Sequence, residues 1–246
     1  MTRRVGGERS YFVDHVLNLL EKAECRRVEG VAERDAAYEI RYEAYVRERM
    51  VSLSESRRLH DPIYDESSNA GIFGIFIGGE MASTIRIHVA RDENEALPSS
   101  AVFGDVILPR LREGRTIVDS ARFATKLEFS RRFPELAYVT VRLTWLAAEH
   151  FSADYHLAAI RPEHQAFYRR VFGHTAWTGE RDYPKLNCKV VCMGLDFPAR
   201  KLLVEARYPF FRSTWAEREK LFGGLLVNGR THGGHPVSSG AVRAQA

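Results

Sequence analysis

The 246 residues provide enough chain for one well-filled core of ordinary domain size, with some left over for appended helices or tails. Thirty-six basic residues face 32 acidic ones, a formal charge of +4 with both signs mixed along the chain; nucleic acid is not required, and the basic excess also suits an acidic protein partner. No run approaches the roughly 20 apolar residues that cross a bilayer, the opening MTRRVGGERS lacks an apolar h-region, and the three cysteines and nine histidines show no zinc or H-E-x-x-H spacing, so a cytoplasmic protein without a metal is expected.

Along the chain, residues 11 to 24 put Phe12, Val16, Leu19 and Leu20 on one helical face, and a short strand over Arg27 to Ala32 follows. Residues 33 to 49 repeat apolar and aromatic positions at helical spacing, with Arg41 four residues before Tyr45 on one face. The polar stretch 50 to 69, with Pro62, reads as a long loop. A hairpin is next: Gly71 to Ile77, a Gly78-Gly79 turn, and Met81 to Val89, whose alternation sends Ile85, Ile87 and Val89 to one face and Thr84, Arg86 and His88 to the other.

A helix or loop over 97 to 113 leads to a strand from Arg115 to Thr125, an amphipathic helix over 135 to 151 and a strand from Tyr155 to Ile160. Pro162 opens a further helix that Gly173 closes, and strands near 174 to 178 and 186 to 197 finish the pattern. Residues 199 to 222 suggest two short helices broken at Pro209, the second opened by a capping box from Thr214 to Glu217. From Gly223 the composition predicts a disordered tail, which contains His232 and His235. The expected organisation is a tail and helix (1–25), a catalytic-sized domain (26–198), a helical extension (199–225) and a disordered tail (226–246), in the α/β (α+β) class: a mixed central sheet with helices on both faces and added N- and C-terminal helices.

HQAFYRRVFGHTAW (164 to 177) resembles the GNAT N-acyltransferase segment in which a tyrosine-bearing helix runs through Phe-Gly into a strand. Enzymes of that fold that use coenzyme A usually carry a glycine-rich pyrophosphate loop after the central strand, where backbone amides at a helix N-terminus hold the phosphates. Here the position reads TKLEFSRRFPE (125 to 135), without glycine. Four pieces, RYEAY (41 to 45), DPIYDE (61 to 66), STIRI (83 to 87) and DSARFA (119 to 124), are similar to two branches that take acyl groups from acyl carrier protein: the acyl-homoserine lactone (autoinducer) synthases and the FeeM-type N-acyl amino acid synthases. The lactone synthases generally have Glu where Asp119 stands and a different spacing in the acidic loop, so the second branch matches better.

The resemblance implies a GNAT fold and an acyltransferase that moves a long acyl chain from an acyl carrier protein thioester to the amine of an amino acid or similar small acceptor, with no bound cofactor. It places oxyanion donors at the backbone N–H of Phe123 or Ala124, where a bulged central strand splays from its neighbour, and a general acid at Tyr168. Asp119, Arg122, Arg86, Arg41 and Asp65 could then form one charged pocket for a zwitterion if a bulge between Asp119 and Arg122 turns both to one side, with Asp119 as base and Arg86 on the acceptor's carboxylate. Lys126, Arg131 and Arg132 would replace the glycine-rich loop as a docking surface for the acidic carrier. Structural readings stay open beside these: an Arg41–Asp65 ion pair, Asp119 as an arginine holder, and Tyr168 stacked on Phe172. His88 and His156 receive no role, and Cys25, Cys188 and Cys192 read as reduced structural thiols. Two functional alternatives also remain: an acetyl-CoA-dependent acetyltransferase with a degenerate loop, and a GNAT-like binding module without turnover.

Overall fold

The computed structural model describes residues 11–227 and 230–231. The expected N-terminal tail before Tyr11 and both tail histidines lie outside the described residues.

Helix α1 (Tyr11–Lys22) buries Val13, Val16 and Leu19 and passes without a loop into β1 (Ala23–Arg27). This strand begins four residues before the expected one, because Cys25 pairs with Ile75 and the ladder runs Ala23↔Ile77 to Arg27↔Phe73. Helix α2 (Val31–Arg47) follows, and the long loop after it contains a single helical turn, α3 (Pro62–Asp65). Strands β2 (Ala70–Ile77) and β3 (Glu80–Ala90) form the hairpin, with Gly78 and Gly79 at φ +62° and +84°, as a tight two-residue turn requires. Next come α4 (Ser100–Arg112), β4 (Ile117–Thr125), α5 (Leu127–Arg132), α6 (Leu136–His150) and β5 (Tyr155–Ile160).

A 3₁₀ turn (Pro162–His164) leads into α7 (Gln165–Phe172), which ends at Gly173 in the left-handed conformation, φ +79°. Short strands β6 (Thr175–Ala176) and β7 (Arg181–Asp182) precede β8 (Lys189–Asp196). Asp196 then caps α8 (Phe197–Arg207) through the Ala199 amide; a 3₁₀ turn at Pro209–Phe211 and α9 (Trp215–Phe222), capped by Thr214 on the Glu217 amide, follow. The chain just after α9 departs from the expected disorder: Leu225 is fully buried, and β9 (Leu226–Val227) pairs with β10 (Arg230–Thr231), while the remainder of the expected tail lies outside the described residues.

The main sheet has the order β1-β2-β3-β4-β5-β8-β6, with β7 also on β8, and only β4 and β5 are parallel. One face carries α1, α6, α7, α8 and α9 around a core that includes Ile85, Ile87, Val118, Trp145 and Phe172. The other carries α2 and α4, over Ile72, Met81 and Ala124 and over Ile117 and Leu157 respectively. Among the described residues no helix is long and apolar enough to cross a membrane.

Candidate active site

Two adjacent irregularities in β4 open the sheet. Its parallel pairing with β5 ends at Ser120↔Ala158, so Ala121–Thr125 has no partner on that side. Against β3 the register jumps from Thr84↔Ala124 to Arg86↔Ala121, leaving Arg122 and Phe123 together opposite Ile85. This is a β-bulge, and Arg122 sits in it at φ +56°, a left-handed conformation that costs a side-chain-bearing residue free energy and concentrates at functional sites.

A cavity of about 410 Å³ lies in this opening and reaches both faces of the sheet. Its walls on the α6 side are Ile85, Phe123, Ala137, Phe167 and Tyr168; on the α2 side they are Ala44, Tyr45, Met50, Pro98 and Ser99, closed by Tyr183, Leu186 and Val190. Ser120–Thr125 and Ala159–Ile160 form the gap between, and Arg47, Glu48, Arg161 and His164 complete the lining. The size and largely apolar walls suit a small ligand with an acyl chain.

Of the residues expected at the site, Arg122, Phe123, Ala124 and Tyr168 line this cavity. The Arg122 guanidinium lies 3.6 Å from Asp61 Oδ2 and above the Tyr45 ring at 5.5 Å. Burial acts against its charge, but Tyr45, Tyr183 and Asp61 together raise its pKa. Burial also pushes the Tyr168 phenol well up, so it keeps its proton at neutral pH. Tyr168 does pack against Phe172, with ring centroids 5.9 Å apart.

Arg41, Asp65, Arg86 and Asp119 do not line the cavity, in contrast to the expectation of one pocket; they form the layer behind its α2-side wall. Asp65 Oδ1 accepts from Arg41 Nη1 at 2.8 Å and Arg86 Nη1 at 2.9 Å, while Oδ2 accepts from the Asp61 amide at 2.7 Å. All three charged side chains are essentially inaccessible. Burial alone would raise the Asp65 pKa, but the two guanidinium charges outweigh it and hold the carboxyl at about 2. Arg86 is thus engaged by Asp65 and is not free to meet a substrate. The bulge had been expected to bring Asp119 and Arg122 to one pocket; it brings only Arg122 to the cavity.

Asp119 is fully buried, and both of its oxygens are taken by one residue: Oδ2 accepts from the Ser99 amide at 2.9 Å and Oδ1 from Ser99 Oγ at 2.8 Å. Burial raises its pKa to about 6, with the Ser99 hydrogen bonds and the Arg86 charge acting in the other direction. Ser99 escaped the sequence reading because 20 residues and the whole of α4 separate it from Asp119, so no local pattern connects the two. Tyr183 was missed for the same reason. His88 bonds the Tyr64 carbonyl and His156 the Thr144 hydroxyl, both fully buried, which makes them parts of the core.

After β4, α5 occupies the place of a pyrophosphate loop, with Glu128 in its first turn and Arg131 and Arg132 exposed. Lys126 makes an ion pair with Glu80. The cysteines are unpaired, and burial raises the thiol pKa of Cys25 to about 11 and of Cys192 to about 12, which leaves them unreactive.

The family model for the N-acyl amino acid synthase FeeM matches residues 36–196, which include the bulge, the cavity walls and the charged layer. The chain belongs to this family. It is an N-acyltransferase with a GNAT-type fold that uses an acyl thioester. Among solved structures, FeeM, an N-acyl amino acid synthase from uncultured soil microbes, superposes with a TM-score of 0.63 at 24% identity, over 75% of this chain and 97% of that one. The CoA-dependent acyl-homoserine lactone synthase BjaI, with SAM and isopentyl-CoA, gives 0.53 at 12% identity over 77% and 89%. The acyl-homoserine lactone synthase LasI gives 0.52 at 14% identity over 74% and 92%. The last two show a shared fold. No protein of curated function matches the chain in sequence.

Proposed function

We propose that the protein transfers a long acyl chain from an acyl carrier protein thioester to the amine of an amino acid, giving an N-acyl amino acid. The observation that carries the reading is the cavity through the β4/β5 gap, which has an apolar half on the α6 side for the acyl chain and a half with Arg122 and Ser99 on the α2 side for a zwitterion. The thioester carbonyl sits in the gap, where the backbone N–H of Phe123 receives the oxyanion, since Ala124, the other expected donor, is paired with Thr84 in the β3 ladder; one such donor contributes about 10²- to 10³-fold. Arg122 takes the acceptor's carboxylate as a fork. Arg41, Asp65 and Arg86 hold the loop that carries Asp61, and through Asp61 they hold Arg122. Asp119 accepts the proton of the attacking amine, and Tyr168, still protonated, gives one to the departing thiolate.

A carrier protein is favoured over coenzyme A as donor because α5 begins with Leu127 and Glu128, so a bulky side chain and a carboxylate stand where a diphosphate would need bare amides. Lys126, Arg131 and Arg132 supply the basic face for the acidic carrier.

The test supplies the purified protein with long-chain acyl carrier protein or acyl-CoA and a mixture of amino acids, and identifies products by mass spectrometry. N-acyl amino acid formed from the carrier substrate supports the reading. Product formed only from acyl-CoA moves the donor assignment to coenzyme A, and ligand binding without any product overturns the functional reading.

A further inference from the structure

Asp119 has the chemistry of a general base but not the location of one. It is fully buried and does not line the cavity, so an amine held there does not touch it. Ser99 stands between the two: it lines the cavity and binds both carboxylate oxygens. A serine hydroxyl has one proton and two acceptor positions. With that proton directed to Asp119 Oδ1, the lone pairs of Ser99 Oγ remain to accept from a substrate amine.

We propose that Ser99 is the proton relay of this enzyme, passing the proton of the acceptor amine to Asp119. The inference rests on the proposed reading of Asp119 as base. In the step, the amine nitrogen bonds to the thioester carbon and its proton moves to Ser99 Oγ as the hydroxyl proton moves to Asp119 Oδ1. The C–S bond breaks, the thiolate takes the phenolic proton of Tyr168, and solvent returns the proton from Asp119 to Tyr168 between turnovers. The products are an amide and a free thiol. The Ser99 amide keeps hold of Oδ2 throughout, so the carboxylate is positioned independently of the hydroxyl that carries the proton.

The surroundings make this proton path readable. Arg86 and His88 from β3, Tyr64 from α3, Tyr183 before β8 and Cys192 within it surround the carboxylate electrostatically or by strand pairing. Burial keeps His88 well below its usual range and raises Tyr64, Tyr183 and Cys192, so these four are neutral near pH 7 and Arg86 is the charge. An acid limb in kcat near pH 6 is therefore the expected signature of Asp119. His164 also lines the cavity, and burial lowers its pKa below 6.5, so His164→Gln is the control for that limb.

The experiment measures kcat, both KM values and the kcat–pH profile for wild type, Ser99→Ala, Ser99→Thr, Asp119→Asn and His164→Gln, with thermal melts to confirm folding. Ser99→Ala retains the backbone hydrogen bond, so it should fold; its kcat should fall about 10²-fold or more with either KM changed less than about threefold, as for loss of a proton-transfer group. Its acid limb should disappear, because the carboxylate is disconnected from the cavity, and Ser99→Thr should restore both rate and limb. His164→Gln should keep the limb. Ser99→Ala with wild-type kcat and an unchanged limb, beside an inactive Asp119→Asn, overturns the relay but leaves the base assignment standing. A fully active Asp119→Asn overturns both. If Ser99→Ala does not fold, the relay is judged on Ser99→Thr: an inactive, folded Thr variant with an intact hydroxyl refutes it.

Discussion

Asp65→Asn gives the sharpest test of the layer behind the cavity. One carboxylate there balances two guanidiniums, with Arg41 and Arg86 both bonded to a single oxygen and both at zero exposure. Nε and Nη2 of each arginine have no hydrogen-bond partner among the described residues, so Asp65 is the main compensation for two buried charges. Removing the anion leaves both cations without their ion-pair partner, and breaking a buried pair in this way costs about 3–5 kcal/mol. At about 2–4 °C per kcal/mol for a chain of this size, the midpoint should drop by roughly 6–20 °C. Arg41→Met instead removes one cation, relieves its repulsion with Arg86 and leaves a one-to-one pair, for a loss nearer the roughly 1.5–3 kcal/mol of a charged hydrogen bond. Urea titrations followed by the fluorescence of the buried Trp145 would measure both. The geometry demands that the aspartate variant be the less stable; an Arg41→Met protein as unstable as Asp65→Asn, or more so, would refute the two-to-one charge argument.

Asp119 should show the opposite sign. Its folded pKa of about 6 lies above the usual 3.8, so its contribution to stability is fully present below pH 3.8 and is lost as pH rises through 6; Asp119→Asn should therefore be more stable than wild type at pH 7.5, by up to about 3 kcal/mol, and melt higher, while losing activity. Equal midpoints at pH 7.5 would remove the burial argument. Tyr168→Phe should lower kcat about 10²-fold with carrier thioesters and much less with aryl thioesters, whose thiolates leave without a proton; equal losses on both substrates would deny the acid role. Arg122→Lys keeps the charge but loses the fork, so acceptor KM should rise roughly ten- to a hundredfold and the preference for free amino acids over their amides should shrink; an unchanged preference would clear Arg122 of binding the carboxylate. Reversing Lys126, Arg131 and Arg132 together should raise KM for acyl carrier protein and spare short acyl-pantetheines, and unchanged carrier kinetics would move docking elsewhere.

The fold was legible where local rules decide it. The Gly78-Gly79 turn, the alternation that sends Arg86 and Ile85 to opposite faces, and the Pro162-to-Gly173 helix each rest on a few neighbouring residues, and the structure has them at those places. β1 was misplaced because AECRR has no strand pattern of its own; it is a strand because β2 offers it an edge. In the site, the arginines and aspartates were found as residue types at matching positions, but which of them face a substrate depends on where a cavity lies. That cavity is bounded by α2, β4, β5, α7 and the segments before α4 and β8, which no window of sequence contains.

The bulge is the point at which local chemistry and long-range architecture meet. Two residues opposite Ile85 interrupt the β3 ladder immediately after β4 has parted from β5, so the backbone at Arg122–Phe123 has no partner residue on either side. Unpaired backbone groups inside a core are expensive unless something else uses them, and the oxyanion proposed to form in the gap would be such a use. The same irregularity sets Arg122 at positive φ and turns its guanidinium toward Tyr45 and Asp61, away from the apolar half of the cavity. A regular strand would lose both features at once. A deletion of Phe123 that restores one-to-one pairing should therefore close the gap to β5 and abolish turnover while leaving the buried Asp65 layer, and much of the stability, in place.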